Sequence, residues 1–174
     1  HLTDLYTISI CFIAFRMHKL VFVGLFSFIG FIKSESLGRG FGDDINWVPY
    51  ADAFVTARLN NKPIFLLIHN TWCQACLDLQ KELRDHVEER KQIVELSKQF
   101  VMVNVVGKEE PNEEEYSPDG RYTPRILFLD ANGKRIRGIN NLRRHKYYLN
   151  FYDRAEDIIR AMKESLVAVK GMRA

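Results

Sequence analysis

The sequence predicts an α/β fold, a mixed central sheet flanked by helices, on three observations. Short apolar runs at 64–68, 100–106 and 125–129 alternate with stretches of helical periodicity. The first run is followed at once by a helix. A turn sequence, Ala131-Asn132-Gly133-Lys134, stands behind the last run and predicts a hairpin.

The chain has 174 residues, 47% of them hydrophobic and 12% aromatic, enough to bury one core and too few for two typical domains. Its 25 basic and 22 acidic residues are spread along the length, and the net charge of +3 marks no nucleic-acid partner. Residues 20–32 carry no charge and follow Met17-His18-Lys19, the layout of a secretory signal peptide that starts at Met17 and is cleaved near Ser36. Thirteen residues make about 20 Å of helix, short of a hydrocarbon core of roughly 30 Å, so a transmembrane anchor ranks second. Joining this run to the apolar stretch at 8–15 would place Arg16, His18 and Lys19 in the membrane interior. The expected organisation is therefore upstream residues plus signal peptide over 1–36 and a single domain over 37–174, with no membrane contact after cleavage. Cys11 leaves with the leader, and the mature chain keeps only Cys73 and Cys76.

Element by element, residues 37–42 read as a flexible glycine-rich entry. Residues 49–59 read as a first helix with Ala51, Phe54, Val55 and Leu59 on its apolar stripe. Asn60-Asn61-Lys62-Pro63 ends it, and 64–68 is suited to a central strand buried on both faces. The two cysteines open a long helix along which Leu79, Leu83 and Val87 recur. Strands follow at 100–106 and 125–129, then the turn and a fourth strand around 135–139. A last helix from Asp153 buries Ile158, Ile159, Met162, Leu166 and Val169. Trp47 reads as core. Residues 108–120 hold five glutamates with Pro111, Pro118 and Gly120, and read as a solvated acidic connection.

A dithiol at a helix N-terminus has a physical reason to be reactive. Unpaired backbone N–H groups and the helix dipole favour a thiolate on Cys73, the candidate nucleophile. Cys76, one turn on, can resolve a mixed disulfide. The competing readings are a zinc half-site and an inert disulfide. Zinc takes four ligands, and His69, His86 and His145 show no paired ligand spacing. A loop this short constrains little chain entropy, so a purely structural bond would contribute little.

Gly40-Phe41-Gly42-Asp43, Trp47, Trp72-Cys73-Gln74-Ala75-Cys76, the 100–104 run, and Ser117-Pro118-Asp119-Gly120 leading through Tyr122 to Asp130 together carry a resemblance. Over about residues 38–165 the chain resembles the thioredoxin domain-containing protein 12 family, endoplasmic reticulum proteins related to the anterior gradient proteins. That resemblance implies a thioredoxin-like fold and a glutathione-linked protein-disulfide reductase or oxidase. It implies no bound cofactor, with glutathione as redox co-substrate. The implied partners are secretory-pathway client proteins, met by a monomer in the endoplasmic reticulum lumen or outside the cell. It also makes Pro124 the cis-proline facing the dithiol, gives the Thr123 backbone the task of pairing with an extended substrate, and makes Trp72 the aromatic flanking the nucleophile. For Trp72, simple packing is the equal alternative. The rival function is a client-binding module of anterior gradient type with secondary redox activity. Three departures stand out. Leu67 occupies the place where many thioredoxins and disulfide isomerases carry a buried carboxylate, and Gln74-Ala75 separates the cysteines. The last residues, Gly171-Met172-Arg173-Ala174, differ from a KDEL-like address.

Overall fold

The computed structural model describes residues 36–173. The signal-peptide expectation falls on residues 1–35, outside the described residues.

Among the described residues, four strands form one sheet: β1 (Trp47–Val48), β2 (Ile64–His69), β3 (Val101–Val106) and β4 (Arg125–Leu129). Their spatial order is β1-β3-β2-β4, with β3 parallel to both β1 and β2, and β4 antiparallel to β2. Leu67 faces Asn104 on one side and Ile126 on the other, which makes β2 the centre of the sheet. All six of its residues are buried, as a continuous apolar run requires of a strand covered on both faces.

Five helical segments or turns connect the strands before the last helix. They are α1 (Tyr50–Asn60), α2 (Gln74–Asp85), α3 (Val87–Ser97) and two short 3-10 turns, Gly107–Glu109 and Glu114–Tyr116. The last helix, α4, runs Ala155–Arg173. Strand alternation sorts the core into two layers. Phe65, Leu67, Met102, Ile126 and Phe128 point towards α2, α3 and α4, whereas Ile64, Leu66, Ile68, Val103 and Leu127 point towards α1.

The structure corrects four expectations. The buried face of α1 is Ala53 and Ala57, while Ala51, Val55 and Leu59 are exposed. Two alanines one turn apart let the helix backbone sit close on the sheet, a placement larger side chains would prevent. The long helix after the cysteines is two helices. His86, at φ −95° and ψ 78°, leaves the helical region, and exposed Val87 begins α3. The fourth strand around 135–139 reduces to a single bridge, Leu129 to Arg135, with Ile136 N–H donating to the Phe128 carbonyl at 2.8 Å. The Arg135 N–H donates instead to Glu115, and Gly138 turns the chain away at φ +87°. The glycine-rich entry is pinned. Phe41 is buried, its carbonyl accepts from Arg90 at 2.7 Å, and the carbonyls of Leu37 and Gly38 accept from Asn104 at 3.0 Å.

Candidate redox site

The central strand ends at His69, and the chain turns through Asn70–Trp72 into α2, whose N-cap is Cys73. The Cys73 carbonyl accepts from the N–H groups of Cys76 and Leu77 at 3.1 Å each, so the helix starts on it. Its sulfur also accepts from the Cys76 N–H at 3.2 Å, a donor it shares with the Cys73 carbonyl. Cys73 and Cys76 stand at disulfide distance, their Cα atoms 5.2 Å apart. Cys73 is half-buried and Cys76 has no solvent exposure. One sulfur can therefore meet another molecule, and the other can be reached only through the first. Trp72 is 83% exposed, which decides against packing.

Facing the pair is the turn into β4. The Thr123–Pro124 bond is cis, and the Thr123 carbonyl oxygen lies 3.4 Å from Cys73 Sγ. Pro124 is buried and Thr123 half-buried. All five predicted site residues are thus found in two adjoining segments, and the geometry links Cys73 directly to Thr123.

The supports of this turn were missing from the sequence reading. Arg125, 1% exposed, donates to the Tyr122 carbonyl and to Glu110 at 2.5 Å. Arg121 donates to Glu110 at 3.3 Å and to the Asn112 carbonyl at 2.8 Å. Asp119 accepts from the Tyr122 hydroxyl and the Leu149 N–H at 2.5 Å each, and from Asn150 at 2.7 Å. Burial pushes the Tyr122 phenol well above its ordinary value, with the Asp119 hydrogen bond adding to it, so the hydroxyl stays a donor. The 108–120 segment is therefore more than a solvated link: Glu110 and Asp119 hold the cis-proline turn. The Ser-Pro-Asp-Gly motif was the available signal for Asp119; a buried arginine has none, because arginine is ordinarily exposed.

Leu67 is buried in the apolar core, so no carboxylate stands at that place on β2. His69, on the same face two residues on, is 1% exposed, meets the Phe41 ring at 4.8 Å, and has neither ring nitrogen hydrogen-bonded. Burial pulls it below the usual imidazole range, which keeps it neutral.

The sheet order, the cis-proline and the dithiol at the start of α2 define a thioredoxin-like fold. A family model described as thioredoxin-like matches residues 46–131. A thioredoxin from Thermus thermophilus superposes with a TM-score of 0.52 at 16% identity, over 75% of this chain and 94% of that one, a likeness of fold alone. In sequence, the chain is similar to anterior gradient protein 3 of Mus musculus, 40% identical over 98 residues, which are 55% of this chain and 56% of the relative. It is also similar to the anterior gradient protein 2 homolog of Homo sapiens, 36% identical over 97 residues, 55% of this chain and 52% of that protein. The chain spans about half the length of the curated relatives it matches.

Proposed function

We propose that this protein is a thiol-disulfide oxidoreductase of client proteins, with Cys73 attacking and Cys76 resolving. The observation that carries this reading is the asymmetry of the pair, a half-buried Cys73 at a helix N-cap backed by a fully buried Cys76. In the reducing direction, the Cys73 thiolate, favoured by the Cys76 N–H and the helix N-terminus, attacks a client disulfide. A Cys73–client S–S bond forms, the client's own S–S bond breaks, and the leaving thiolate takes a proton. Cys76 then attacks Cys73 Sγ, the mixed disulfide breaks, and the client leaves with two thiols. Two electrons have passed from the dithiol to the client. Two glutathione molecules, oxidised to glutathione disulfide, restore the dithiol. The Thr123 backbone and Pro124 shape the groove in which an extended client segment lies, and exposed Trp72 flanks it.

The resemblance to the thioredoxin domain-containing protein 12 family supports the finer reading: a glutathione-linked protein-disulfide reductase, monomeric, in the endoplasmic reticulum lumen or secreted, with no bound cofactor. A second reading, a client-binding module in which redox chemistry is secondary, is favoured by the similarity to anterior gradient proteins. Cys76→Ser separates the two. It removes the resolving thiol, so the oxidoreductase reading expects mixed disulfides with clients to accumulate on Cys73, visible as reductant-sensitive bands. Unchanged client binding with no trapped disulfide would sink that reading and leave the binding module.

A further inference from the structure

Residues 131–152, between β4 and α4, contain six Lys/Arg and no Asp or Glu. The base of this connection is fixed from within. Asn141 N–H donates to the Leu149 carbonyl at 2.7 Å, Asn141 Nδ2 donates to the Phe151 carbonyl at 3.0 Å, and Arg160 reaches the Asn141 side chain at 2.9 Å. Arg144 and His145 both engage Asp153, at 2.8 and 2.9 Å, and the His145 ring packs on Phe151. A loop tied at its base by these hydrogen bonds is an ordered display, the kind that often carries function.

What it displays is cationic and aromatic. Arg143, Lys146, Tyr147 and Tyr148 are exposed, Tyr147 at 75%, and Lys146 Nζ lies 5.7 Å from the Tyr147 ring centroid. Among the described residues, neither Arg143 nor Lys146 is in an ion pair. The carboxylates that reach the loop are already engaged, Asp153 by Arg144 and His145 and Asp119 by Tyr122, Leu149 and Asn150, and in the 108–120 segment Glu109 faces Arg39, Glu110 faces Arg125 and Arg121, and Glu115 the Arg135 backbone. The display adjoins the redox site. Tyr148 meets Tyr122 edge to face at 4.9 Å, and Tyr122 precedes Thr123, whose carbonyl lies against Cys73 Sγ.

We propose that the 142–148 loop is a docking surface for extended acidic segments of client proteins, bringing a disulfide near such a segment to Cys73. The proposal rests on the oxidoreductase reading for its purpose. The occupant follows from charge complementarity with unpaired Arg143 and Lys146, and from tyrosine rings that offer contact area at low entropic cost beside the backbone-pairing turn. A protein segment is favoured over a lipid surface because the patch continues into the groove where peptide backbone would pair.

The test is fluorescence polarisation of two cysteine-free, rhodamine-labelled extended peptides of equal length, one of alternating Glu and Tyr, the other with Lys for each Glu. The unaltered protein is expected to bind the acidic peptide at least about fivefold more tightly at low salt, with the gap narrowing as salt rises. R143E/K146E is expected to reverse the order. K163E/K170E, which makes the same net charge change on exposed positions of α4, is expected to keep it. Equal affinity for the two peptides, an acidic preference surviving R143E/K146E, or equal loss in K163E/K170E would overturn the proposal. So would binding to anionic phospholipid vesicles without discrimination between peptides. Because the peptides carry no sulfur, a protein that fails as an oxidoreductase yet prefers the acidic peptide leaves the docking surface standing.

Discussion

Cys73 and Cys76 sit one helical turn apart, and they differ in burial and in place: Cys73 is the half-buried N-cap of α2, Cys76 is fully buried within it. Leu67 and His69 show the other side of burial, since both lie buried on the central strand that leads to the dithiol. His69 is neutral in the fold because desolvation disfavours its cation, with Arg39 adding to that and the Asn70 backbone, Asn104 and Glu109 opposing it more weakly. A lowered folded pKa means the unfolded chain takes up the proton first. His69 thus contributes stability that is present above about pH 6.5, the unfolded value, and lost as pH falls from there through the folded value. Urea midpoints should fall over that window, and His69→Leu should lose that part of the slope. A variant with an unchanged slope would show that other groups set it.

At the scale of elements, the cis-proline turn is held by charge and the bend behind β4 by glycine. Arg125→Met leaves Glu110, with 20% of its side chain exposed, partnered only by half-exposed Arg121. A cost of about 3 kcal/mol in urea unfolding is expected, together with slower client reduction as the Tyr122 carbonyl loses its anchor. A loss below about 1 kcal/mol would mean the pair is not coupled to the fold. Gly133 stands at φ +86°, and a Cβ there would meet Phe54 Cε1 at 2.5 Å. Gly133→Ala should therefore cost about 1–2 kcal/mol by the same measurement, and a neutral result would contradict the turn. The elements legible in the sequence were those with long apolar runs or clear punctuation: 64–68, 125–129, and the last helix with its buried Ile158, Ile159 and Met162. Those that were not depended on tertiary partners. A two-residue β1 has no periodicity to read. Ala53 and Ala57 outrank the larger Val55 and Leu59 only because the sheet is close, and the hairpin's second strand lost its pairing to Glu115.

The whole molecule joins these levels: a two-layer apolar core fixes β2, β2 aims the start of α2, and an acidic connection holds the turn that faces it. The dithiol could be read from its spacing because its chemistry demands two cysteines at the start of a helix, whereas Thr123-Pro124 came only from the family resemblance. The Arg125, Glu110 and Asp119 supports could not, since they become neighbours only when the chain is folded. The most direct test is the fraction of Cys73–Cys76 disulfide across a glutathione redox series, read by thiol trapping and mass. The account predicts a reversible two-electron transition, a tenfold change in the equilibrium for about every 30 mV. Thiols that stay reduced throughout the series, or a disulfide that never opens, would contradict it.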